Sequence, residues 1–242
     1  MQIRISQGHT PPPNPGGITV VIDVIRAFTS AHYAFAGGAR DILLVATAGE
    51  ALSLKQHNPQ LLLAGEIDSL PIDGFDFGNS PEELRHAPLT DRTLVQRTTN
   101  GVIATLAARH SRCVLVAGLV NADATAHWLR QQPCREVLLV ASHPHGDEDL
   151  ACAEYLTGLL GGNGISLAAA CQRTRDCQAA VKFLDGRHPQ LRAADIDLAA
   201  ASAGEAGTVM RVDYRQQDGS QRYRGISPAG DIPTIRAVFP GH

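Results

Sequence analysis

The run Ile18-Thr19-Val20-Val21-Ile22-Asp23-Val24-Ile25-Arg26 decides how this chain is expected to fold. Its first five residues are almost all apolar and β-branched, and they lack the polar alternation of a strand that shows one face to water. The run therefore reads as a strand buried on both sides, which belongs to a parallel sheet with helices on each face. Beyond Arg26 the apolar residues Phe28, Ala31 and Phe35 fall at helical spacing, and Gly37-Gly38 supplies a stop. The unit is strand, charged loop, helix.

The same unit recurs along the chain. Residues 41–45 read as a strand ahead of a helix over 48–56, and 60–64 as a strand ending at Gly65-Glu66. Residues 93–96 lead through Thr98-Thr99-Asn100-Gly101 into a helix with Val102, Ile103 and Leu106 on one face. Residues 113–117 lead past Asn121, and 136–141 past His143 to Asp149, each into a further helix. Near the N-terminus, 2–6 suits a short strand, whereas 11–17 holds too much proline and glycine for helix or strand. The predicted fold is α/β, three-layer α/β/α, with a largely parallel or mixed sheet. After Gly161-Gly162-Asn163-Gly164 the pattern changes. Residues 172–184 read as a helix, 209–225 as a hairpin turning near Asp218-Gly219, and 234–239 as a last strand, so the C-terminal part is expected to be mixed or antiparallel. Residues 1–242 are expected to form a single domain or two closely packed lobes divided near 161–170.

Composition narrows the class. Of 242 residues, 44% are hydrophobic and 19% charged, which is ample for a buried core and unlike a disordered chain. A net charge of −3 gives no support for a nucleic-acid surface. The five cysteines, Cys113, Cys134, Cys152, Cys171 and Cys177, lack metal-ligand spacing and suit a reduced compartment. No signal-peptide pattern or run of roughly 20 apolar residues is present, so a cytoplasmic protein without a membrane span is expected. A homo-oligomer is compatible with all of this.

In an open parallel sheet the loops after the strands gather at one edge, where ligands bind. This chain would place there Asp23 and Arg26, Glu66, Asp76 with Asn79 and Ser80, Thr98 to Gly101, Asn121, and the stretch from His143 through Glu148 and Asp149. A single strand-end Asp is accounted for by a helix cap. Several carboxylates converging from separate strands repel one another and call for a cation between them, and Mg²⁺ prefers such oxygen donors. Asp23, Glu66 and Asp76 are the expected metal ligands. Arg26 has the planar fork that matches a phosphate, and a strand feeding Thr98-Thr99-Asn100-Gly101 into a helix would present free amides to an anion. The loop Gly74-Phe75-Asp76-Phe77-Gly78-Asn79-Ser80-Pro81 has glycines for backbone freedom, and its Asn79 and Ser80 are placed to contact a substrate.

Together, 20–27, Gly65-Glu66, 74–81, 98–101, Asn121 and 148–153 make the chain resemble the 2-phosphosulfolactate phosphatase family, in the family's order and across roughly residues 18–160. The resemblance implies a three-layer α/β fold and Mg²⁺-dependent hydrolysis of 2-phospho-3-sulfolactate, a step in coenzyme M biosynthesis. It departs where Ile67-Asp68-Ser69-Leu70 follows Glu66 in place of the family's arginine and glycines, which removes a cationic contact.

The mechanism expected from both lines is as follows. Mg²⁺ on Asp23, Glu66 and Asp76 polarises the phosphoryl group, while Arg26, Asn79, Ser80, Asn121 and the amides of Thr98, Thr99, Asn100 and Gly101 bind it. Water attacks in line, and Glu148, Asp149 or His145 protonates the leaving oxygen. A rival with Asp23 as nucleophile expects a second Asp two residues on, where Ile25 stands. The alternative of another class is a non-catalytic protein that holds a phosphorylated small acid at the same site.

Overall fold

The computed structural model describes residues 1–214 and 232–238. In chain order the elements are β1 (Gln2–Gln7), β2 (Ile18–Ile22), α1 (Ala27–Ala36), β3 (Asp41–Leu44), α2 (Ala48–His57), β4 (Leu62–Ile67), β5 (Leu70–Pro71), α3 (Pro81–Leu84), β6 (Thr93–Arg97) and α4 (Gly101–Ala107). There follow β7 (Cys113–Ala117), α5 (Ala122–Arg130), β8 (Glu136–Ala141), α6 (Asp147–Leu159), α7 (Leu167–Asp176), α8 (Gln178–Leu184), α9 (Ala193–Ala199), β9 (Val209–Asp213) and β10 (Thr234–Val238). The fold is α/β with a mixed sheet, as expected.

All five residues of β2 are buried, and their side chains divide by the strand period. Ile18, Val20 and Ile22 pack with α5 and α6, while Val21 joins Phe28 and Ala31 of α1 and Val102 of α4 on the other face. The same division holds across the sheet. Ile42, Leu94, Val116, Val140, Met210 and Ile235 all face the α1 and α4 side, and the opposite face is covered by α5, α6 and α7 at one end and by α2 at the other. Helices therefore cover both faces.

The strand order is β1-β8-β2-β7-β9-β10-β3-β6-β4-β5. β1, β8, β2 and β7 pair in parallel, and so do β3, β6 and β4. Between these blocks lie β9 and β10, and the pairings β7 with β9, β9 with β10, and β10 with β3 are all antiparallel. Three reversals leave the two parallel blocks running in opposite senses. The antiparallel C-terminal strands were expected, but they sit in the middle of the sheet, so the site is not built on the edge of one parallel sheet. Twist brings the strand ends together all the same. At roughly 20–25° per strand, the five steps from β2 to β6 accumulate on the order of 100–125° and turn the reversed strands back toward the first block. The ends of β2 and β6 then meet, as the 2.8 Å bond from the Gly101 amide to Asp23 Oδ2 shows.

Other differences are local. The helix expected over 172–184 is two helices, because Cys177 adopts an extended ψ of 155° between α7 and α8. The strand expected to end at Gly65-Glu66 runs on to Ile67 and reverses into β5 through Asp68 (φ 51°) and Ser69 (φ 73°). Within the described residues β9 pairs with β10, and the turn expected near Asp218-Gly219 lies outside them. Gly65 is required where β4 passes β6, since a Cβ there would lie 2.2 Å from the Arg97 carbonyl oxygen. Among the described residues no helix is long and apolar enough to cross a membrane.

His32 of α1 is buried and its Nδ1 accepts the Thr208 amide at 3.3 Å, tying the helix to the start of β9. Burial holds its pKa down at about 4. The unfolded chain takes up this proton below the ordinary value of 6.5 and the folded chain does not, so His32 contributes stability above pH 6.5 that is lost as pH falls through 4. The loss amounts to about 3 kcal/mol at 1.36 kcal/mol per pKa unit. In urea unfolding between pH 7 and 4, His32→Asn, which keeps an acceptor near the Nδ1 position, should show an acid-side slope shallower than the wild type by about 1.4 kcal/mol per pH unit.

Candidate active site

Where the ends of β2, β4, β6 and β8 meet, a cavity of about 500 Å³ is lined by Asp23, Arg26, Glu66, Asp68, Ser69, Asn79, Thr99, Asn100, His143, His145, Glu148 and Lys182, among others. Asp23 closes β2. Its Oδ1 accepts the Ala27 amide at 2.9 Å, capping the first turn of α1, and its Oδ2 accepts the Gly101 amide at 2.8 Å from the other half of the sheet. Gly101 is needed for that approach, because a Cβ there would stand 2.7 Å from Asp23 Oδ2.

Glu66 is held in the same way. Oε1 accepts the Thr99 amide at 2.6 Å, and Oε2 accepts the Ser69 amide at 2.6 Å and the Thr99 hydroxyl at 3.1 Å. The turn before α4 does bind anions, as its sequence suggested, but they are the protein's own carboxylates. The amides of Thr99 and Gly101 are taken by Glu66 and Asp23, and Thr98 Oγ1 accepts the Val102 amide at 3.2 Å. Of the four residues expected to cradle phosphate, Thr99 and Asn100 reach the cavity; Thr98 and Gly101 do not line it.

The expected metal triad does not assemble. Asp76 pairs with Lys55 and accepts the Leu63 amide at 2.7 Å, outside the cavity that Asp23 and Glu66 share. A strand-end carboxylate with a lysine one helix away finds its counter-charge locally. Asn121 is also removed from the site. Its Oδ1 accepts the Gly118 amide at 2.9 Å and its Nδ2 donates to the Thr208 carbonyl at 2.8 Å, so it ties the turn after β7 to β9. Ser80 caps α3 and donates to Asp195 Oδ1 at 2.6 Å, lining a smaller neighbouring cavity, whereas Asn79 lines both.

Of the adjacent acids at the start of α6, only Glu148 lines the cavity, and its buried Oε2 has no hydrogen-bond partner. Asp149 lies behind, accepting the Val24 amide at 2.8 Å on Oδ1, and the His143 amide at 3.0 Å and the Ser142 hydroxyl at 3.1 Å on Oδ2. It joins β2 to β8 and does not line the cavity. Burial raises the pKa of Asp23 and of Asp149. Asp23 is pushed up to about 7, opposed by its amide bonds and raised further by the charges of Glu66 and Glu148. Asp149 is raised well above the carboxylate range by burial and then by Asp23 and Glu148. Burial and Glu148 push the Cys177 thiol up to about 12, which favours the neutral thiol.

Arg26 is almost fully buried. Nη1 meets Asp195 Oδ2 at 2.7 Å, Nη2 donates to the Ser69 carbonyl at 3.0 Å, and the guanidinium lies 4.6 Å from the Phe183 ring centroid. Asp195, Lys182 and Ser69 were not foreseen. Asp195 stands two residues from an unremarkable Asp197, and Lys182 reads as an ordinary helix surface charge. Ile67-Asp68-Ser69-Leu70 was read as losing a cationic contact, yet Arg26 and Lys182 both bond to Ser69 there.

The family described as 2-phosphosulpholactate phosphatase matches residues 5–194. The chain belongs to this family. Similar relatives include probable 2-phosphosulfolactate phosphatases from Bacillus subtilis, 46% identical over 99% of this chain and 100% of the relative, and from Deinococcus radiodurans, 39% identical over 59% and 62%. A Thermus thermophilus relative of the same name is 36% identical over 64% of this chain and 70% of its own. As a member of the 2-phosphosulpholactate phosphatase family the chain is a phosphoric monoester hydrolase.

Asp195 is fully buried and accepts from Arg26, Ser80 and the Glu82 amide, so removing it strands a buried guanidinium. Asp195→Ala should lower unfolding free energy in urea by about 3–5 kcal/mol. Gly101→Ala, which pushes on the Asp23 carboxylate, should leave a folded protein with sharply reduced phosphate release.

Proposed function

We propose that this protein is a Mg²⁺-dependent phosphatase that hydrolyses 2-phosphosulfolactate or a closely related phosphorylated hydroxy acid. The observation that carries the reading is the convergence of Asp23, Glu66 and Glu148 on one cavity that also holds Arg26 and Lys182. The names of the relatives and the family supply the substrate class.

The donor set suits a hydrated cation. Among the described residues no three His, Cys, Asp or Glu side chains close around a point, as an all-protein metal cage would require. Mg²⁺ needs no such cage, since it keeps several waters and uses one or two carboxylates together with substrate phosphate. Asp23 raised to about 7 by burial and by two neighbouring carboxylates, and a buried Glu148 Oε2 without a partner, are the features a cation would relieve. Asp23 and Glu148 would hold it, with Glu148 in the place expected of Asp76, and Glu66 would add its charge from the same cavity wall. When bound, it would offset the charge of the phosphoryl group and make water a better nucleophile.

The chain's own residues do the rest. Hydrolysis forms a P–O bond to water, breaks the ester P–O bond, and delivers a proton to the leaving oxygen. Thr99 and Ser69 fix the Glu66 carboxylate, and Ala27 and Gly101 fix that of Asp23, so neither reorganises as charge develops. Arg26, oriented by Asp195, presents guanidinium N–H donors on the cavity wall. With Asp149 tied to backbone amides, His145 on the cavity wall is the proton donor of this reading.

Purified protein with Mg²⁺ and a panel of phosphorylated three-carbon acids should release phosphate from 2-phosphosulfolactate, and a chelator should abolish the release. Asp23→Asn should lower turnover by about 10²–10⁴-fold, the range of a lost acid–base or charge-stabilising group. Release untouched by chelator sinks the Mg²⁺ reading. Tight binding without release from any member favours the non-catalytic alternative, and a phosphoenzyme on Asp23 after rapid acid quench replaces water attack with covalent catalysis.

A further inference from the structure

Four carboxylates line the main cavity, Asp23, Glu66, Asp68 and Glu148, against Arg26 and Lys182. The two cations differ in what already neutralises them. Arg26 is paired with the buried carboxylate of Asp195 at 2.7 Å. Lys182, half-buried on α8, donates from Nζ to the Ser69 hydroxyl and lies 5.9 Å from the Phe183 ring centroid. A hydroxyl and a ring face carry no negative charge. Among the described residues, then, Lys182 forms no salt bridge with a carboxylate, and an ammonium has two donors left after one bond to Ser69.

Ser69 sets where that charge stands. It sits in the two-residue turn between β4 and β5, where both central residues take positive φ, a geometry that fixes the direction of the turn's polar groups. Its amide donates to Glu66 Oε2, its carbonyl accepts from Arg26, and its hydroxyl accepts from Lys182. One residue therefore joins an acid of the proposed phosphate-processing set to both cations of the cavity, and its hydroxyl holds the Lys182 ammonium on the cavity wall.

A substrate carrying only a phosphate would leave that ammonium without a partner. A phosphorylated hydroxy acid brings a second strong acid group a few bonds from the ester oxygen. Building on the phosphatase reading above, we propose that Lys182 binds the second acidic group of the substrate, a carboxylate or a sulfonate, and so selects phosphorylated acids over simple phosphate esters. Its neighbours in the wall, Gln178 and Ala179 of the same helix, leave the charge itself to Lys182. The short turn Asp68-Ser69 supplies its orientation in place of a second basic side chain.

The test is binding, so it reports on this pocket independently of phosphate release. Full-length protein with Mg²⁺ is titrated calorimetrically with 3-sulfolactate, with lactate as the carboxylate-only probe and with 2-hydroxyethanesulfonate as the sulfonate-only probe. Lys182→Met should weaken 3-sulfolactate binding by about tenfold or more, and Lys182→Arg should restore most of it. The single-acid probe whose group Lys182 holds should lose affinity in step. Ser69→Ala, which removes the orienting hydroxyl, should weaken 3-sulfolactate by a smaller factor. Unchanged affinity in Lys182→Met and Ser69→Ala, or no 3-sulfolactate binding by the wild type, overturns the proposal. A protein that binds 3-sulfolactate through Lys182 yet releases no phosphate would refute the phosphatase reading and leave the acid pocket standing.

Discussion

Three buried carboxylates at the heart of this molecule, Asp23, Glu66 and Asp149, are each held by backbone amides from two different segments, and the rest of the structure depends on that arrangement. Asp23 receives amides from Ala27 and Gly101, Glu66 from Thr99 and Ser69, and Asp149 from Val24 and His143. Taking a carboxylate out of water is costly unless its oxygens are satisfied, and amides are donors that neither move far nor lose a proton. Their use has a topological consequence. Asp23 stitches the β2 block to the β6 block, and Asp149 stitches β2 to β8, so the acids that make the site chemically useful also fix the geometry of the sheet around it.

That stitching explains why the site survives an unexpected topology. With β9 and β10 inserted at the centre, the two parallel blocks run in opposite senses, and a flat sheet would carry their strand ends to opposite sides. Twist turns the ends back toward each other, and the bond from Gly101 to Asp23 closes the gap. α1 and α4 fill the space inside the curve with small and apolar side chains such as Ala31, Ala34, Phe28 and Val102.

The strands and helices of the parallel blocks were legible in the sequence, because a β-branched run such as 18–22 or 113–117, followed by a helical period, has few other readings. The order of the strands was not. It depends on which edges a distant segment pairs with, and nothing local in 209–213 marks it for the centre of the sheet. The break at Cys177 was equally silent, since an extended cysteine between two helical periods leaves no Gly or Pro behind. The turn at Asp68-Ser69 escaped because it lacks the Asn-Gly or Asp-Gly pair that usually signals positive φ.

For the site the difficulty was of another kind. Helix caps and ligand contacts draw on the same side chains, so Ser80, Thr98 and Asn121 looked functional and are seen holding backbone, whereas Asp23 caps a helix and also lines the main cavity. What separates the two cases is charge balance, which only the assembled cavity reveals. Asp76 has Lys55 and Arg26 has Asp195, and each pair is internally neutral. Asp23, Glu66 and Glu148 have no basic partner among the salt bridges of the described residues, only amides, hydroxyls or, for Glu148 Oε2, nothing at all. An anionic substrate would be repelled from that wall if it came alone. On the proposed reading a cation would offset those acids and favour a phosphate, and a phosphate bound there would bring the remainder of its substrate within reach of the side chain least neutralised by its surroundings, Lys182.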